Sequence, residues 1–381
     1  MAETRELTQQ IKEKAHQLGF DLVGITGPDP PPHLDVYKAW VKNGRNGEMD
    51  YLKREKANKR RTDPKEILGE CKSILVLGVP YSNPDSRVSA SSGYGRVAAY
   101  AWGEDYHYVL PERLKALVDF IEHQVGHPVP NRWFTDTGPI LEREFAQRAG
   151  LGWIGKNTML INPEKGSYFL LAEILLGIDL EPDRPFEADH CGTCTRCIEA
   201  CPTDCILPDR TLDAERCISY LTIELKGPIP AELRHKMSDW VFGCDVCQVV
   251  CPWNERFAPA SGDPSFLPQG RDIVQLDGEL NISVEEFNRK FKNIPIKRTK
   301  RRGYLRNVAV ALGNQGDIAS IPALRWTLLT ESETLVRGHA AWALGVIGGN
   351  AAVAALREAL EYEREEMVVE EIYSALAEAG G

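Results

Sequence analysis

The chain has 381 residues, enough for two or three domains with separate cores. Its 43% hydrophobic and 26% charged content is ordinary for a water-soluble protein, and no apolar run is long enough to span a bilayer. A net charge of −10 argues against a generally basic, nucleic-acid-binding surface, and ten cysteines behind an N-terminus without an export signal point to metal or redox use in the cytoplasm rather than to disulfides.

Residues 1–180 read as a mixed α/β domain. Leu7, Ile11, Ala15 and Leu18 recur at helical spacing, and FDLVGIT at 20–26 then reads as a strand. SILVLGVPY at 73–81 is a buried strand. Pro111 opens a helical pattern carried by Leu114, Leu117, Val118 and Ile121. RWFTDTG at 132–138 predicts a strand ending in a turn, and Pro139 starts a short helix that Gly150 caps. Two further strands are predicted around 158–161 and 168–175. No G-x-G-x-x-G and no P-loop occurs, so neither a nicotinamide nor a nucleoside triphosphate site has local support.

Residues 181–290 hold the strongest motif. Cys191, Cys194, Cys197 and Cys201 are spaced C-x2-C-x2-C-x3-C before Pro202, the bacterial ferredoxin run for a 4Fe-4S cluster. Cys244, Cys247 and Cys251 before Pro252 repeat it without the leading cysteine, whose place Val241 takes, while Cys217 lies spare upstream. With the ferredoxin crossover, one cluster takes Cys191, Cys194, Cys197 and Cys251, and the other takes Cys201, Cys217, Cys244 and Cys247. Zinc sites also use C-x2-C pairs, but eight cysteines with two C-x3-C-P endings favour iron–sulfur clusters. Cys71 and Cys205 read as buried small hydrophobes.

Residues 291–381 carry an internal repeat. Ala311-Leu312-Gly313, Ala343-Leu344-Gly345 and Ala375-Leu376-Ala377 recur every 32 residues, which predicts two HEAT-like helix pairs and a closing helix. Just before it, NIPIKRTKRRGYLR presents Lys297, Arg298, Lys300, Arg301, Arg302 and Arg306 without an acid. Such a run is commonly a solvated face. Together with the basic stretch Lys53–Arg61 it could instead track phosphates on an otherwise acidic protein.

The whole layout resembles the epoxyqueuosine reductases of bacterial transfer RNA modification. WFTDTGPILER, GWIGKNTMLINPEKGS, the split two-cluster motif and KRTKRR followed by the repeat all carry the resemblance. It implies an α+β chain with three parts: a cobalamin-binding catalytic domain over 1–180, a ferredoxin-like domain with two 4Fe-4S clusters over 181–290, and HEAT-like repeats contributing to tRNA binding over 291–381. It implies base-off cobalamin. In keeping with that, Asp105-Tyr106-His107 begins a D-x-H-x-x-G motif, but Leu110 occupies the glycine position. The implied reaction reduces epoxyqueuosine to queuosine at the wobble position with two electrons and two protons.

The resemblance places the proton donor at Asp136, which read alone is a turn or helix-cap residue. Tyr106, Asp136, Arg143, Lys156, Asn157, Ser219, Cys244 and Asp245 are the expected cobalamin contacts. Lys297, Arg298, Lys300, Arg301 and Arg302 are the expected tRNA contacts. A flavodoxin or ferredoxin system would donate electrons to a monomeric enzyme. A reductive dehalogenase-like reductase of a small molecule, or a ferredoxin-type electron carrier, would share some of these features but not the basic run leading into a helical repeat.

Overall fold

The computed structural model describes residues 2–81, 93–270 and 272–379. Contacts divide the chain into two interleaved units. One comprises Met1–Asp85, Gly103–Ala214 and Val246–Leu267, the other Ser86–Trp102, Glu215–Asp245 and Pro268–Gly381.

The first unit is built on a four-stranded sheet in the order Leu22–Thr26, Ser73–Pro80, Phe169–Leu176, Asn131–Phe134, with every pairing antiparallel. Strands and helices are therefore segregated in the α+β manner. Ser73–Pro80 is buried at every residue, which explains its unbroken apolar run. The other inner strand, Phe169–Leu176, is apolar except for Glu173, which is fully buried and lies opposite Phe134 and Val76. One core gathers Leu22, Ile74, Val76, Phe145, Leu151 and Leu175. It binds the short helix Glu142–Arg148 to the sheet. Cys71 is part of it, and burial pushes its thiol up to about 11, as suits a packing residue.

The helix expected to open at Pro111 begins five residues earlier and runs Tyr106–Val125. Asp105 is its cap, accepting the His107 N–H at 3.0 Å, and this outweighs the N–H that Pro111 cannot supply to the preceding turn. The earlier start matters because it sets Tyr106 and His107 on the helix's first turn.

The second unit contains a small sheet, with Tyr94–Val97 parallel to Trp240–Phe242 and antiparallel to Ile273–Gln275. The repeat follows as helices Lys300–Gln315, Ile321–Thr330, Thr334–Ile347, Gly349–Tyr362 and Glu366–Ala379. Two pairs and a closing helix are what the 32-residue period requires. Its glycines serve close helix approach. A methyl group on Gly313 would sit 2.9 Å from the Ala343 backbone, and one on Gly345 would sit 2.7 Å from Ala375.

Arg306 departs from its expected place in the exposed basic run, because it is fully buried. Its guanidinium donates to the carbonyls of Leu221, Leu225 and Gly227 at 2.6–2.9 Å. Arg306→Met would leave these buried acceptors unsatisfied, so urea or thermal unfolding should show a loss of about 3 kcal/mol or more. Arg302→Met, at an exposed site, should stay within about 0.5 kcal/mol of wild type.

Candidate active site and cluster cavity

Asp136 follows the edge strand Asn131–Phe134 in the turn Thr135-Asp136-Thr137-Gly138-Pro139. Thr135 pins the turn by donating its hydroxyl to the Leu171 carbonyl at 2.9 Å. Asp136 itself adopts a left-handed backbone with φ 57°, a conformation that aspartate tolerates better than most residues. Its N–H donates to Glu142 Oε1 at 2.7 Å, while its Oδ2 accepts the Tyr106 hydroxyl at 2.9 Å and faces His107 Nε2 at 3.5 Å.

Burial alone would lower the His107 pKa. Asp105, bound to Nδ1 at 2.7 Å, and Asp136 outweigh that and push it up to about 9. The shift favours the imidazolium at neutral pH, with Nδ1 hydrogen-bonded to Asp105 and Nε2 in ion-pair range of Asp136 without a hydrogen bond of its own. His107 stacks on Tyr106 with ring centroids 4.1 Å apart. Beneath the turn, burial and then the Asp136 charge push the partly buried Glu142 up, while burial and then Glu142 push the fully buried Glu173 up; a hydrogen bond from Glu173 works in the opposite sense on Glu142. The Asp136 side chain is itself 47% exposed, so these described neighbours supply negative charge but not the burial expected of a protonated acid.

Cys191, Cys194, Cys197 and Cys251 line a cavity of about 230 Å³. Burial, then the neighbouring thiols, push Cys197 up to about 11, and burial raises Cys251 as well. Two thiols disfavoured as anions, gathered with Cys191 and Cys194 around one cavity, fit a cationic iron cluster, which would compensate them. Among the described residues no three Cys, His, Asp or Glu side chains converge on a single ion. The Trp153 indole N–H donates to Cys191 Sγ at 3.5 Å, and Lys156 donates to the carbonyls of Gly192 and Cys194 at 2.7 and 2.9 Å. Cys201 is held low, at about 5, chiefly by Cys205 and further by Thr203, and so is disposed to be a thiolate ligand. Cys247 belongs to the same unit, whereas Cys217 and Cys244 belong to the other.

The structure joins Tyr106 to Asp136, and several of the other expected corrin contacts also make bonds within the chain. Arg143 donates to the Thr158 carbonyl, Lys156 holds the cluster loop, and Asn157 donates to the Cys247 carbonyl at 3.3 Å. In the second unit, Ser219 is partly buried on the helix Ile218–Ile223, and the buried Asp245 accepts the Ala99 N–H at 2.7 Å. Of the basic run, Arg301 forms a two-point ion pair with Glu331, and Arg298 pairs with Glu224 at 2.6 Å. Lys297, Lys300 and Arg302 are exposed. In the earlier basic stretch, Arg61 is buried against the Tyr37 ring and Lys59 pairs with Glu55.

Three family descriptions match the chain: "Epoxyqueuosine reductase QueG, DUF1730" over 61–137, "4Fe-4S double cluster binding domain" over 190–254, and "HEAT repeats" over 301–377. The epoxyqueuosine reductase of Cyclobacterium marinum is 41% identical over 314 residues, covering 81% of this chain and 97% of the relative. This chain belongs to the epoxyqueuosine reductase family. A crystal structure of an epoxyqueuosine reductase with a tRNA-Tyr epoxyqueuosine-modified stem loop is 33% identical, with a TM-score of 0.91 over 99% of both chains. A Bacillus subtilis epoxyqueuosine reductase, solved with its catalytic aspartate loop swung out of the active site, is also 33% identical, with a TM-score of 0.88 over 98% of this chain and 99% of that one.

From sequence, His107 is visible only within an incomplete D-x-H-x-x-G motif, and Glu142 and Glu173 are not singled out. The signal for Glu173 was present, as a single acid within the apolar run YFLLAEILL.

The raised His107 pKa gives a directional prediction. Its stabilising contribution is full below the ordinary histidine value and is lost as pH rises through about 9. NMR titration should place the His107 midpoint near 9, and Asp105→Asn should move it clearly downward.

Proposed function

We propose that this chain reduces epoxyqueuosine to queuosine at the wobble position of tRNA. The observation that carries the reading is the cluster of Asp136, Tyr106 and His107 at one turn, in a chain of this family that also carries a double-cluster domain. Converting the epoxide to an alkene consumes two electrons and two protons and releases the oxygen as water.

Cobalamin, when bound, supplies a low-valent metal centre able to deliver electrons to carbon, which one-electron iron–sulfur clusters cannot do alone. His107 fits the base-off form, since an imidazolium held by two carboxylates has no lone pair to offer cobalt. Cys191, Cys194, Cys197 and Cys251 would hold one cluster. On sequence spacing, Cys201, Cys217, Cys244 and Cys247 would hold the other.

Asp136 is the acid that protonates the departing oxygen. Tyr106 fixes its carboxyl by hydrogen bonding, and His107 faces the same oxygen as a charged donor able to reload it. Residues 1–180 thus carry the cofactor and the acid, 181–290 the clusters, and 291–381 part of the tRNA surface. The enzyme acts as a cytoplasmic monomer and takes its electrons from a small flavodoxin- or ferredoxin-like protein.

Asp136→Asn tests the central assignment. It should keep clusters and cobalamin while turnover of epoxyqueuosine-containing tRNA, read by nucleoside mass spectrometry, falls by about 10²–10⁴-fold. Turnover within a few-fold of wild type would move the acid elsewhere. For tRNA binding, the ion pairs of Arg298 and Arg301 leave Lys297, Lys300 and Arg302 as the stronger phosphate candidates. Changing these three to Ala should weaken binding and flatten its salt dependence by up to about one unit per lost contact. An unchanged slope would return the run to a solvated face.

A further inference from the structure

The Asp136 turn does not hold itself in place by backbone preference, since its central residue sits at positive φ. Its N–H is held by Glu142 Oε1 at 2.7 Å. Behind Glu142, Glu173 projects from the inner strand Phe169–Leu176 with no solvent exposure, and neither of its oxygens meets a hydrogen-bond donor among the described residues. A carboxylate in such a place would bear the full cost of desolvation, so burial, and then the neighbouring Glu142, favour the protonated form of Glu173, and the Glu142 carboxyl is the group that can accept its hydrogen bond. The arrangement reads outward from the sheet: the Glu173 O–H to Glu142, and Glu142 to the N–H of Asp136.

We propose that Glu142 and Glu173 form a proton-sharing latch that holds the Asp136 turn where its carboxyl meets Tyr106 and His107. Both are positioning residues, and the functional consequence rests on the reading of Asp136 as the acid. If the pair served packing alone, two apolar side chains would fill the space without burying an acid; two carboxyls provide a holding contact that depends on one proton.

The charged and titratable groups facing the pair are Asp136 from the turn and Arg143 from the helix, while Glu144 acts on Arg143 rather than on the pair. Asp105, His107 and Tyr106 lie beyond, around the Asp136 carboxyl. Both carboxyl pKa values are raised in the folded protein, so protons are retained above the ordinary glutamate range. The latch is therefore favoured at low pH and weakens as pH climbs and the shared proton is lost, leaving two buried like charges.

Hydrogen exchange at the Asp136 amide in substrate-free protein reads the latch without reading the chemistry. Glu142→Ala should speed exchange there by about tenfold or more, after correction for intrinsic rate, and lower kcat more than it changes KM for tRNA. Glu142→Gln, whose side-chain oxygen still accepts the N–H, should restore the protection. Wild-type protection should fall as pH rises past neutrality. Glu173→Gln donates an N–H to Glu142 at every pH, so that fall should vanish. Unchanged exchange in Glu142→Ala overturns the proposal. If that variant does not fold, a Glu173→Gln protein with the wild-type pH dependence overturns it equally. Turnover of Asp136→Asn judges the acid separately, so either assignment can fail while the other stands.

Discussion

Glu173 lies in an inner strand of the antiparallel sheet, with Val76 opposite on one side and Phe134 on the other, where water does not reach. A carboxyl in that position must keep a proton or find a partner, and its surroundings follow from this. The partner is Glu142, at the start of the helix that the apolar core packs onto the same sheet. Glu142 in turn receives the N–H of Asp136, and so fixes a turn whose backbone is otherwise unfavourable. That turn aims the Asp136 carboxyl at the first turn of the helix Tyr106–Val125, where Asp105 has already oriented His107. A cost incurred inside the sheet is thereby converted into position at the surface.

The same reasoning, that uncompensated like groups mark a place for an opposite charge, applies at the cysteine cavity. Burial, and then the neighbouring thiols, make Cys197 and Cys251 resist ionisation, and a cationic cluster would relieve them. The protein prepares for that charge without overfilling the space. Lys156 is turned onto the Gly192 and Cys194 carbonyls, and Trp153 offers a neutral N–H to Cys191 sulfur, so neither places a cation among the sulfurs. Lys156, expected from sequence as a cobalamin contact, thus also shapes the cluster loop.

The features legible in the sequence were those with fixed spacing or long periodicity. The eight cysteines, the buried strand at 73–81 and the 32-residue repeat each impose a pattern that local context cannot disguise. What escaped was the identity of partners. Arg306 and Arg302 stand four residues apart on one helix and so share a face, yet one is wholly buried on backbone carbonyls and the other is exposed, because Arg302 lies in the helix's first turn whereas every residue from Gly303 to Gly313 is buried. Arg301 is likewise spent on Glu331, thirty residues away. His107 was hidden for another reason. It was weighed only as a possible metal ligand in a motif the sequence does not complete, whereas its role comes from two carboxylates, one two residues before it and one at Asp136.

If Asp136 is the acid, as proposed, stoichiometry also gives His107 a place in the reaction. Removing an epoxide oxygen as water needs two protons, and Asp136 can hold only one at a time. A second source must lie within reach of the same carboxyl and still be charged at neutral pH. Tyr106 meets the first condition but is a weak acid, while Glu142 touches the turn through its backbone rather than through the acid itself. His107 meets both, since its Nε2 lies 3.5 Å from Asp136 Oδ2 and its pKa stands near 9. On the proposed reading, the charge that would make it a poor metal ligand would also keep it available as a proton donor, and Asp105 supports that charge through one hydrogen bond.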